Sequence, residues 1–175
     1  MINILDTDIE DLKIIEPKVF DDERGYFFES FNQNEFKQKI GDIKFIQDNE
    51  SYSKYGVLRG LHYQINPYQQ NKLVRVIKGE VQDIAVDLRR NSLTYLKYVS
   101  CILNDKNKRQ FFIPKGFAHG FLVLSNYAIV NYKVDNYYFP EYEKILSFKN
   151  KDLSIKWKLE YNDIILSKKD TVSQN

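Results

Sequence analysis

The chain has 175 residues, is 43% hydrophobic, and sets 26 Lys and Arg against 24 Asp and Glu, a net charge of +2. That length suits one domain over residues 1–175 with a single core. The near-balance of charge, without a basic run, excludes a nucleic-acid-binding stripe. The one cysteine, Cys101, rules out an intrachain disulfide and any multi-cysteine metal site.

Acidic residues Asp6, Asp8, Glu10 and Asp11 occupy the region where a signal peptide would be basic and then apolar. No apolar run approaches the roughly 20 residues of a membrane helix. A cytoplasmic protein without membrane contact is expected. The spacing of Phe36 and Ile40 predicts a short helix over Asn34–Ile40. Lys72–Lys78 and Val81–Leu88 flank Gly79-Glu80, which predicts a hairpin. Within the second run Ile84, Val86 and Leu88 alternate with Asp83, Ala85 and Asp87, the pattern of a strand with one buried face. Tyr98–Leu103, Gln110–Ile113, Phe121–Leu124 and Ala128–Val134 add four further strands. Cys101 lies among Val99, Ile102 and Leu103 and reads as a buried structural thiol. Lys144–Lys158 has apolar positions, Trp157 among them, but no clear period. Many short strands predict a mainly β jelly roll with a few short helices.

The only two histidines sit in glycine-punctuated apolar frames, His62 within Gly56–Gln64 and His119 within Ile113–Phe121. Pro114–His119 resembles the second motif of the cupins, a double-stranded β-helix family, and Gly56–His62 resembles the start of the first. Metal-binding cupins place another histidine two residues after the first, and a glutamate soon after. Here the former position is Gln64 and no suitably placed Glu follows. A transition metal typically needs three or four protein ligands, so a metal-free interior is expected, and proton transfer by His62 remains open to it. Arg59 and His62 are three apart and would face opposite ways in a regular strand. Gly60 between them permits a bulge that turns both into one cavity. Lys72 suits a developing enolate oxygen.

Taken together the motifs resemble those of the dTDP-4-dehydrorhamnose 3,5-epimerase family. The matching stretches are Asp22–Glu29, Gln47–Asn49, Gly56–Gln64, Lys72–Arg75, Gly79–Val81, Asp87–Arg89, Asn107–Gln110, Ile113–Ser125, Tyr132-Lys133, Asn136–Tyr138 and Leu166–Asp170, in family order. Phe148 and Lys158 depart from the pattern, where Trp and Pro are usual. The resemblance implies inversion of C3 and C5 in dTDP-4-dehydro-6-deoxy-D-glucose, without a cofactor or metal. It implies His62 as base, Asp170 as its orienting partner, Tyr132 as the acid on the other face and Lys72 at the C4 oxygen. Arg59 and His119 would line the sugar and diphosphate region, Gln47, Asn49, Glu143 and Lys169 would add contacts, and Tyr138 would stack on thymine. Arg24 and Glu29 would reach the partner's site in a homodimer. The downstream product would be rhamnose in cell-surface polysaccharide.

Read singly, these residues leave other options. His119 can be a core histidine satisfied by a backbone carbonyl, Lys72 an edge-strand lysine, and Asp170 a solvated charge. A single-site epimerase of a related nucleotide sugar shares the same machinery. A non-catalytic cupin that binds a sugar nucleotide would need no base, acid and enolate stabiliser together.

Overall fold

The computed structural model describes residues 1–171. The strands are β1 (Ile2–Asp6), β2 (Lys13–Pro17), β3 (Phe20–Asp22), β4 (Gly25–Phe27), β5 (Gln47–Lys54), β6 (Leu58–Gln64), β7 (Lys72–Lys78), β8 (Glu80–Asp87), β9 (Tyr98–Asn104), β10 (Gln110–Ile113), β11 (Phe117–Val123), β12 (Tyr127–Val134) and β13 (Glu143–Ile145). Helix α1 (Gln33–Lys39) precedes β5, and a one-turn helix, α2 (Lys168–Thr171), ends the described chain. Six strands form one sheet in the order β1-β2-β10-β7-β12-β5, and five form another in the order β13-β6-β11-β8-β9. From β5 onward the chain alternates between the two sheets at every step except β8 to β9, which pair within the five-stranded sheet. The result is the predicted jelly roll.

Apolar side chains from the inner faces fill the space between the sheets, with Val74, Phe111 and Val130 from one side and Val81, Ala85 and Phe121 from the other. Both outer faces are covered as well. On the six-stranded sheet, Ile15, Leu73 and Phe112 pack under Phe36 of α1. On the five-stranded sheet, Ile84, Val86 and Ala118 pack under Leu153 and Ile155, and Leu58 and Leu122 under Phe148. The stretch over 144–158 is therefore a short edge strand followed by a covering layer. Cys101 is buried in the inner core, and burial pushes its thiol up.

Three expectations need correction. Gly79-Glu80 is not a hairpin turn, because β7 and β8 belong to different sheets. Gly79 takes a left-handed φ of +85° and turns the chain from one sheet to the other. The Asp105 carboxylate accepts its amide at 3.2 Å and Ser125 Oγ accepts that of Glu80 at 2.8 Å. Two strands around a glycine fit either geometry locally, and the choice rests on distant partners. β8 has two buried faces rather than one, since all residues from Val81 to Asp87 are buried. β11 starts four residues before the predicted Phe121 and so takes in His119. The remaining strands and α1 lie within a residue of expectation. Asn32 caps α1, its side-chain oxygen accepting from the amides of Asn34 and Glu35.

Phe36 is 2% exposed and meets Phe112 edge-on at 5.5 Å. Phe36→Ala is expected to cost about 3–5 kcal/mol in urea unfolding. A loss below about 1 kcal/mol would show that α1 adds little to the sheet beneath it.

Candidate active site

The cavity between the sheets, about 600 Å³ in volume, is lined from β5, β7 and β12 on one side and from β6 and β11 on the other. Along β5, period-2 alternation turns Gln47, Asn49 and Ser51 inward. Tyr132 of β12 sits opposite Asn49 in register. In the β6–β11 ladder Phe121 pairs with Arg59 but His119 pairs with His62, so β6 holds one extra residue. This is the bulge expected at Gly60. It brings Arg59 and His62 to the same cavity. Gly60 adopts φ +138°, and a Cβ there would lie 2.5 Å from the Gly120 Cα.

His62 Nε2 lies 2.5 Å from Asp170 Oδ1, and Asp170 is only 7% exposed rather than solvated. Ser167 Oγ donates to the other Asp170 oxygen at 2.9 Å. Burial pushes the Asp170 carboxyl up, but the bond to His62, the charge on that ring and Ser167 together hold it below the ordinary value. A carboxylate on Nε2 keeps the proton there and leaves the Nδ1 lone pair free to accept one. Glu143 Oε1 stands 4.0 Å from Nδ1.

Lys72 is on β7 between β10 and β12, so it is not an edge residue. It is 9% exposed, and its ammonium donates to the His62 carbonyl oxygen at 3.4 Å. Burial lowers its pKa to about 8, against the opposing pull of the Asp83 and Glu143 charges. A buried cation with so weak an acceptor is poised for a developing oxyanion. Tyr132 faces the cavity from the sheet opposite His62. Burial raises its phenol pKa, as do the Glu143 and Tyr138 charges, while Arg59 and Lys169 oppose the shift. It therefore carries its proton at neutral pH.

His119 is buried, but its partner is a carboxylate rather than the backbone carbonyl considered above: Nε2 lies 2.9 Å from Asp83 Oδ1. Burial lowers the His119 pKa, with Asp83 opposing, so the ring is neutral at pH 7. Asp83 was missed because alternation assigned it to a solvent face; its fully buried side chain shares the inner face of β8 with Ala85. Arg59 Nε donates to Ser53 Oγ at 2.9 Å, and Gln47 Nε2 donates to Asn49 Oδ1 at 2.8 Å. At the mouth, Tyr138 Oη donates to Glu143 Oε2 at 2.7 Å, and Lys169 pairs with the same oxygen. The Tyr138 ring is 47% exposed.

Arg24 and Glu29 do not line this cavity. Arg24 pairs with Asp22 at 2.6 Å in the β3–β4 turn, and Glu29 lies 3.5 Å from the N-terminal amine. Asp48, Glu50, Ser51, Gln70 and Phe121 line it unanticipated. Of these only Ser51 carried a signal, since it continues the face of Gln47 and Asn49. Among the described residues no group of three or more His, Cys, Asp or Glu side chains is arranged to hold a metal ion.

The sequence profile of dTDP-4-dehydrorhamnose 3,5-epimerase matches residues 6–175. The chain belongs to that family. It is 52% identical over 165 residues to the dTDP-4-dehydrorhamnose 3,5-epimerase of Methanothermobacter thermautotrophicus, covering 94% of this chain and 89% of that protein. The Legionella pneumophila epimerase, solved with dTDP-4-keto-L-rhamnose, superimposes with a TM-score of 0.94 at 50% identity over 97% of this chain and 90% of that one. A Bacillus anthracis family member, solved with TDP and pyrophosphate, gives 0.95 at 41% identity over 99% and 98%.

The lowered Lys72 pKa has a stability consequence. The folded state binds this proton less tightly than the unfolded chain does. The penalty is complete below about pH 8 and is relieved as pH rises toward 10.5. Lys72→Met is therefore expected to stabilise the fold at pH 7 by roughly 1–3 kcal/mol, given about 1.4 kcal/mol per pH unit. The gain shrinks toward pH 10 in urea titrations. A variant less stable than the parent at pH 7 would contradict this.

Proposed function

We propose that the protein is a dTDP-4-dehydrorhamnose 3,5-epimerase that converts dTDP-4-dehydro-6-deoxy-D-glucose to dTDP-4-dehydro-L-rhamnose. The observation that carries the reading is a carboxylate-held histidine and a tyrosine on opposing sheets around one cavity that a buried lysine also enters. The C4 ketone acidifies the protons on both neighbouring carbons. His62 Nδ1 takes one, the C–H electrons move into the ring as an enolate, and the Lys72 ammonium holds the charge that builds on O4. Tyr132 delivers a proton to the opposite face of the same carbon, which inverts it. His62 then releases its proton to water and Tyr132 regains one, so the cycle repeats at the second carbon without a cofactor. Asp170 keeps His62 in the productive tautomer.

Binding roles follow the same reading. Arg59 and His119 serve the sugar and diphosphate, with Gln47, Asn49, Glu143 and Lys169 as further polar contacts, and arginine suits phosphate oxygens. Tyr138 offers a ring face for the thymine. Arg24 and Glu29 of the partner subunit complete the nucleotide end in a homodimer. In support, the β3–β4 hairpin that carries Arg24 projects Phe20, Tyr26 and Phe27, each more than half exposed, an apolar surface that a second copy would cover. We place the enzyme in the cytoplasm, on the route to rhamnose-containing surface polysaccharide.

Incubation with dTDP-4-dehydro-6-deoxy-D-glucose in heavy water, read by NMR, is expected to put deuterium at both C3 and C5 of an L-configured product. Deuterium at one carbon would make this a single-site epimerase, and none would remove the reaction altogether. His62→Ala should lower kcat by about 10²–10⁴-fold. Because the Lys72 charge is needed and its pKa is about 8, kcat/KM should fall as pH rises through that value. An alkaline limb that stayed in place in Lys72→Arg would rule Lys72 out as its source.

A further inference from the structure

Asp170 reaches His62 from α2, a single turn in which Asp170 is the only buried residue. A single turn does not sustain itself in water, and among the described residues of α2 no apolar side chain is buried to dock it. The chain before it is anchored at Ile165, whose amide donates to the Gly56 carbonyl at 2.8 Å and whose carbonyl accepts from the Leu58 amide at 2.9 Å. Leu166 next packs, partly buried, against the cluster of Leu58, Leu122 and Phe148, and from Ser167 onward polar contacts hold the described segment. Besides the Ser167 bond to Asp170, the Lys169 ammonium pairs with Glu143 Oε2 and donates to the Tyr138 hydroxyl at 3.3 Å. The Tyr138 hydroxyl donates to the same Glu143 oxygen. Burial opposes the Lys169 charge, yet Glu143 and Tyr138 hold its pKa above the ordinary value.

Glu143 lies on β13, which pairs with β6 so that Ile145 faces His62 and Glu143 faces Gln64. The acceptor for Lys169 is thus fixed to the strand that carries His62. Lys169 and Asp170 are adjacent, so one peptide unit links the ion pair to the carboxylate. We infer that Lys169 is a positioning residue: its pair with Glu143 and Tyr138 clamps α2 against β6, so that Asp170 meets Nε2 of His62 and fixes the ring's tautomer. This role is distinct from contact with a bound nucleotide, because it operates in the free protein. Only its kinetic consequence rests on reading His62 as the base.

The test uses protein labelled with ¹⁵N-histidine. With only two histidines in the chain, the ring correlations are few, and those of His119 report retention of the fold. Free parent protein is expected to hold His62 with Nε2 protonated, and Asp170→Asn supplies the spectrum of the broken pair. Lys169→Met should move the His62 signals toward that spectrum and lower kcat about tenfold. Lys169→Arg should restore both. If Lys169→Met keeps the parent His62 signals, the positioning role is overturned; a raised KM alone would then assign Lys169 to substrate contact only. Failure of the enzyme to act on the dTDP sugar would remove the kinetic readout and leave the tautomer result standing.

Discussion

The site depends on the close approach of β6 and β11 where Gly60 meets Gly120. A Cβ on either glycine would lie 2.5–3.0 Å from the other's Cα, closer than packed side chains allow. Because both are glycine, β6 can carry an extra residue at this point and still keep its ladder. The extra residue changes which side chains face inward. Without it Arg59 and His62 would point to opposite sides of the sheet, and the cavity would hold one or the other. A local backbone contact thereby decides the chemistry of the interior.

Around that contact the charged groups are matched in pairs. Each histidine has its own aspartate: His62 uses Asp170 near the end of the described chain, and His119 uses Asp83 on β8. The environments differ. His119 is buried and held neutral, whereas the His62 side chain keeps 28% of its surface exposed to the cavity. Lys72 lies near the Asp83 and Glu143 charges, and burial has loosened its hold on its proton. Functional sites concentrate such poorly solvated charges, and folds accept the loss of stability that comes with them.

Much of this was legible in the chain. Alternation and turn residues located β7 to β12 to within a few residues, and Gly60 between Arg59 and His62 signalled the bulge. Three things were not legible. The sheet to which a strand belongs is a long-range property, so Gly79-Glu80 read as a hairpin. The covering layers over both sheets are assembled from distant segments, so β8 read as half exposed and Asp83 as a solvent-facing charge. Asp170 had no local pattern at all, and only the ordered family motif singled it out 108 residues from His62. Arg24 and Glu29 lie outside the cavity of one chain.

The central claim is that His62 and Tyr132 act on opposite faces of one sugar. Tyr132→Phe in heavy water tests it most directly. With the base intact and the opposing acid gone, His62 can remove a proton and return a deuteron only on its own side. The expected result is deuterium incorporation at C3 and C5 with the D-configuration retained and little L-product. Inversion at the parent rate in this variant would contradict the assignment of the two faces.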